Sequence, residues 1–87
     1  MTLDDVLQVA RAFLAQEFPN RAAEVARLDP SAPLFDLGLV DSLSFLGLVG
    51  KLEEQFAIAV PPADFTPDRF RTLDAIAAYV VQARRAG

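Results

Sequence analysis

Apolar residues recur at three- and four-residue spacing over residues 3–18: Leu3, Val6, Leu7, Ala10, Phe13, Leu14 and Phe18. Asp4, Asp5, Gln8, Arg11, Gln16 and Glu17 fill the opposite side. This is the period of an amphipathic helix. Thr2 stands where an N-cap belongs, Asp4 and Asp5 suit the positive end of the helix dipole, and Pro19 stops the run. A second helix is predicted over 42–56. Its inward stripe reads Leu43, Leu46, Val49, Leu52 and Phe56, with Ser44, Gly47, Lys51, Glu54 and Gln55 outside and Phe45 and Leu48 at the stripe's edge. A third, over 73–84, turns Leu73, Ile76, Ala77 and Val80 inward with Val81 beside them. Thr72 is its cap, and Arg84 and Arg85 sit in the last turn, where cations suit the dipole.

The connections are long. Residues 21–27 add a helical turn or two, and Pro30 and Pro33 then forbid a regular helix. Leu28, Leu34, Phe35, Leu37 and Leu39 are the expected anchors of this segment on the core. Between 57 and 71, Ile58 and Val60 are apolar and Pro61-Pro62 interrupts the chain. Thr66-Pro67 has the form of an N-cap followed by proline at the first helical position, predicting a short helix at 67–70. Gly47 and Gly50 each cost about 1 kcal/mol of helix propensity against alanine, unless they admit a close neighbour. Ala10, Ala57 and Ala77 are candidate small residues of the core. With no repeat and no strand pair, the pattern predicts an all-α fold: a small bundle of three main helices plus one short helix, one domain over 1–87.

Composition narrows the function. The chain has 87 residues, 53% of them hydrophobic, enough for a core but a modest one. Net charge is −4. That argues against nucleic acid, which needs a clustered basic surface, and fits either basic partner enzymes or simple solubility. No cysteine means no disulfide framework and no thiolate metal site; no histidine removes the commonest general base and metal ligand. No apolar run is long enough to span a membrane and no signal-peptide pattern opens the chain, so the expectation is a cytoplasmic monomer without membrane insertion. Lys51, the one lysine, lies about two and a half turns beyond Ser42, too far to activate its hydroxyl. Catalytic residues are therefore expected to be none, and no metal site is expected.

Chemistry concentrates in Leu34-Phe35-Asp36-Leu37-Gly38-Leu39-Val40-Asp41-Ser42-Leu43. An apolar loop tightens at Gly38 and runs into Asp41, an expected N-cap, which places Ser42 at the first helical position, beside the dipole's positive end and unpaired amides. A phosphate on Ser42 meets a favourable field there. On local physics alone, Ser42 is equally an ordinary serine behind a capping aspartate.

Leu34, Phe35, Gly38, Asp41, Ser42 and Leu43, with Leu52-Glu53-Glu54-Gln55-Phe56 downstream, resemble the attachment site of acyl and peptidyl carrier proteins. The resemblance covers about residues 3–82. It implies a 4′-phosphopantetheine arm, derived from coenzyme A, on Ser42. Asp41 is then both helix cap and contact for the phosphopantetheinyl transferase. The arm's thiol would hold an acyl or aminoacyl group as a thioester, loaded by a separate adenylating ligase and passed to a downstream acyltransferase or synthase. The implied partner surface is Leu43, Phe45, Leu46, Glu53 and Glu54, with Phe45 equally readable as core.

Two residues, Leu39 and Val40, separate Gly38 from Asp41. Gly-Leu-Val-Asp-Ser looks more like free-standing carriers such as the D-alanyl carrier group than like fatty-acid carriers, which also load this helix with acidic residues. Val60-Pro61-Pro62-Ala63-Asp64-Phe65 is similar to a stretch of the same group. A polyketide or fatty-acid carrier is the alternative within the family. Outside it stands a helical docking module without a prosthetic group.

Overall fold

The computed structural model describes residues 2–86. Three long helices form the bundle: α1 (Leu3–Glu17), α3 (Ser42–Phe56) and α4 (Leu73–Ala86), with a short α2 (Ala22–Ala26) after α1. Single 3-10 turns occupy Pro19–Arg21, Pro62–Asp64 and Pro67–Phe70. No strand occurs among the described residues. The all-α expectation therefore holds, with one change of detail. The short α-helix is 22–26, while 67–70 closes only as a 3-10 turn, and the Thr66 side chain makes no capping bond there.

Each long helix begins on its own cap. Thr2 and Asp5 form a reciprocal capping box on α1. The Thr72 hydroxyl accepts from the Ala75 amide at 3.0 Å at the start of α4. α3 ends where Ala57 turns left-handed at φ 53°, exposed rather than in the core. The Arg11 guanidinium donates to the Val25 carbonyl at 2.8 Å, tying the end of α2 back onto α1.

The core joins Val6, Ala10 and Leu14 of α1, Leu48, Val49 and Leu52 of α3, and Leu73, Ile76, Ala77 and Val80 of α4. The long connection adds Val25, Leu28, Leu34, Leu39 and Val40. Leu37, expected as an anchor, is instead exposed, and Leu3 is exposed at the start of α1. α1 packs against both α3 and α4, whereas α3 and α4 meet more sparsely. A run of rings bridges that wider gap. Phe45 lies 4.8 Å from Phe65 and 5.4 Å from Phe70, and Phe70 lies 5.0 Å from Tyr79, centroid to centroid.

The inward face of α3 differs from the predicted stripe. Leu43 is 81% and Leu46 57% exposed, while Ser44, Phe45, Leu48, Val49 and Leu52 are buried. The stripe is turned because apolar residues surround this helix at its start, so spacing admits more than one inward face. The two glycines differ as well. A Cβ on Gly47 would stand 3.0 Å from Phe13 Cζ, so Gly47 makes room for a ring of α1; a Cβ on Gly50 would meet nothing within 4 Å.

Candidate functional site

The lead-in to α3 is a closed loop held by its own backbone. The Leu34 amide donates to the Arg71 carbonyl at 2.9 Å, fastening the loop to the segment before α4. The Leu37, Gly38 and Leu39 amides then donate to the carbonyls of Pro33, Phe35 and Leu34. The reversal needs a left-handed residue, and Gly38 supplies it at φ 72°. Leu34, Leu39 and Val40 plug the loop into the core, so Asp41 is presented from a pinned strap. The Phe35 ring meets Phe45 edge-on at 5.7 Å, coupling strap to helix.

Asp41 is extended, at φ −127° and ψ −174°, and caps α3. Its Oδ1 accepts from the Leu43 amide at 3.1 Å, the Ser44 amide at 2.9 Å and the Ser44 hydroxyl at 3.1 Å. The Asp41 amide donates in return to Ser44 Oγ at 2.8 Å. Sequence spacing found the cap but not Ser44's half of the box, because serine replaces the usual glutamate or glutamine at that position. The Ser44 amide and hydroxyl, and then the Leu43 amide, hold the Asp41 carboxyl below the usual carboxylate range. Asp41 is therefore a fixed negative charge at neutral pH.

Ser42 is exposed at the first position of α3, and its hydroxyl engages no hydrogen bond among the described residues. It sits where the buried and exposed faces of the helix meet. Of the four amides at this helix end without an intrahelical partner, the Asp41 carboxylate takes two and the Ser44 hydroxyl a third, so the N-terminus is less open to a phosphate than an uncapped one. What remains suits covalent attachment better than ion capture: an accessible hydroxyl on a rigid turn, with the carboxylate turned to the cap.

Leu43 and Leu46 stand beside Ser42 as large exposed apolar side chains, and Glu54 is exposed further along. The structure separates the other two residues of the expected partner surface from this group. Phe45 is 6% exposed and ringed by Phe35, Phe65 and Phe70; it is core. Glu53 Oε2 accepts from the Val60 amide at 2.9 Å and pins the chain after α3. A tyrosine the sequence did not single out belongs to the same framework. Tyr79 donates to Asp64 Oδ2 at 2.8 Å, and burial followed by that bond pushes its hydroxyl up to about 12. No group of His, Cys, Asp or Glu with metal-ligating arrangement occurs among the described residues, and no helix there is long and apolar enough to cross a membrane.

A family model described as a phosphopantetheine attachment site matches residues 13–80. The D-alanyl carrier protein of Abiotrophia defectiva is 39% identical over 57 residues, 66% of this chain and 72% of that protein. That of Streptococcus sanguinis is 38% identical over 53 residues, 61% of this chain and 67% of that protein.

Proposed function

This chain belongs to the phosphopantetheine-attachment family, and we propose that Ser42 is its attachment residue and that the cargo is a small acyl or aminoacyl group of the D-alanyl type. A member of this family is a carrier, covalently modified with 4′-phosphopantetheine, and not itself a catalyst. The observation that carries the assignment to Ser42 is its place: an exposed, unengaged hydroxyl at the first turn of α3, held by a capped helix and a pinned loop. When bound, the arm supplies a thiol that forms thioesters, a chemistry absent from a chain with no cysteine.

The chain's own residues present the site. Asp41 fixes the helix end and leaves a carboxylate edge for the transferase that modifies Ser42. Leu43 and Leu46, flanking the serine, suit apolar docking of the transferase and of an adenylating ligase that loads the cargo. With few charges beside them, such docking would depend little on salt. Likeness to D-alanyl carrier proteins supports the aminoacyl reading of the cargo.

Incubation with coenzyme A and a broad-specificity phosphopantetheinyl transferase, followed by intact-mass measurement, tests the assignment. The wild type is expected to gain one phosphopantetheine and Ser42→Ala none, with the fold of the variant intact because the lost hydroxyl bonds nothing. No gain on folded wild type would favour a docking module without the prosthetic group. Gain on Ser42→Ala would move the attachment elsewhere. Subsequent charging by a malonyl transferase but not by an aminoacyl-adenylating ligase would replace the D-alanyl-type cargo with a fatty-acid or polyketide one.

A further inference from the structure

A cargo tethered at Ser42 has two places to go, because the serine stands at the border of the buried and exposed faces of α3. It can fold inward between α3 and α4, where the helices are least closely packed, or stay against the outer face in solvent. We infer that the interior is closed to it, and that Phe45 is the residue that closes it. This rests on the reading of Ser42 as the attachment site and adds a limit on the cargo.

Phe45 follows Ser42 by three positions, so it lies on the neighbouring part of the helix surface, one turn along. It is 6% exposed. Its ring is in contact with Phe35 of the strap at 5.7 Å, Phe65 of the second connection at 4.8 Å and Phe70 at 5.4 Å. Phe70 is fully buried and continues to Tyr79 of α4 at 5.0 Å. Rings at these separations are in direct contact, in the tilted and edge-on arrangements that aromatic groups favour. The aromatic run thus occupies the gap between α3 and α4 from the strap to the far helix. Tyr79 in turn is latched to Asp64 at 2.8 Å, and Asp64 faces Arg69 at 3.4 Å, so the second connection is tied down over the rings.

Admitting a long alkyl chain would mean expelling Phe45 or parting these contacts. A short cargo has nothing to gain from entry. The chain is therefore suited to small acyl or aminoacyl thioesters held in solvent, with Phe45 the determinant that excludes long ones. Replacing Phe45 by a small residue should convert the filled gap into an apolar cavity of the kind that takes up apolar guests.

The test loads Ser42 with acetyl- or octanoyl-phosphopantetheine, transferred from the matching coenzyme A thioesters. The serine oxygen attacks phosphorus, the new phosphodiester forms, and adenosine bisphosphate leaves. Intact mass verifies loading first, so a failure of attachment is seen separately. Hydroxylamine cleavage of each thioester then reports its exposure. In the wild type, octanoyl and acetyl forms are expected to be cleaved at rates within about twofold of each other, and in Phe45→Ala the octanoyl form about tenfold more slowly than the acetyl form. Phe45→Leu, which removes less volume, takes the place of the alanine variant if that does not fold. Strong protection of octanoyl in the wild type would overturn the closed interior. Equal cleavage in the folded variants would overturn the assignment to Phe45.

Discussion

At the turn into α3, one aspartate and one serine hold the geometry between them. Asp41 and Ser44 exchange hydrogen bonds in both directions, and Ser44 is buried while Asp41 is not. Ser44→Ala leaves the Asp41 amide without its partner at 2.8 Å and is expected to cost about 1 kcal/mol by urea denaturation. The same change should raise the Asp41 pKa part of the way toward its ordinary value, read by carboxyl NMR titration, since it removes the Ser44 hydroxyl, the second cause of the depression, and leaves the Ser44 backbone amide, the first, in place. An Asp41 pKa unchanged by Ser44→Ala would show that the hydroxyl adds nothing to what the backbone amides already do. The sign for stability follows. The folded-state pKa lies below the unfolded one, so the contribution is present above the unfolded value and is lost as pH falls through the folded value. The pair Asp41-Ser42 was legible in the sequence because a cap is a local matter. Ser44 was not, because serine at that position gives no signal until its hydroxyl is seen turned back to the Asp41 amide.

Within α3, the same sequence supports two faces, and burial decides between them. The predicted stripe placed Leu43 and Leu46 inward, yet only Val49 and Leu52 of that stripe are fully buried. Which face turns in is settled by what packs against it: Phe35, Phe65 and Phe70 for Phe45, and the α1 core for the rest. None of these partners is nearby in sequence. The glycines show the same point. Gly50→Ala meets open space and is expected to stabilise the fold by about 0.5–1 kcal/mol through helix propensity. Gly47→Ala gains the same propensity but drives a methyl to 3.0 Å from the Phe13 ring, so it should fall short of Gly50→Ala by about 1 kcal/mol or more, the cost range of overpacking. Thermal or urea unfolding of the two variants side by side decides it, and equal stabilities would mean that α1 and α3 are not packed as closely as Gly47 suggests.

Across the whole molecule, the bundle depends on a segment that is not helical. Pro30 and Pro33 keep 28–41 out of regular structure, and spacing alone described it as a connection with apolar anchors. The structure makes it a structural strap. Two points in its first half are bonded to the chain around the start of α4: the Leu34 amide to the Arg71 carbonyl at 2.9 Å, and the Pro30 carbonyl to the Asp74 amide at 3.0 Å. Such pairings join residues about forty apart in sequence, which no local pattern reveals; the anchors Leu28, Leu34, Phe35 and Leu39 were readable from their apolar character, which marked the exposed Leu37 just as strongly. If the strap were an ordinary loop, its amides would exchange with solvent through local opening, far faster than the helices. If it is part of the cooperative core, the Leu34, Leu39 and Asp74 amides can exchange only when the bundle unfolds. Native-state hydrogen exchange should therefore find these amides as protected as those of Ala10 and Leu14 in α1, within about tenfold, and sharing their dependence on denaturant. Fast exchange at Leu34 with α1 still protected would show a strap that detaches from an intact bundle. A strap that holds keeps the turn before Ser42 fixed whenever the bundle is folded. On the proposed reading of Ser42 as the attachment residue, the serine would then be presented in one geometry to every enzyme that must find it, and the motion needed to deliver a cargo would be left to the arm.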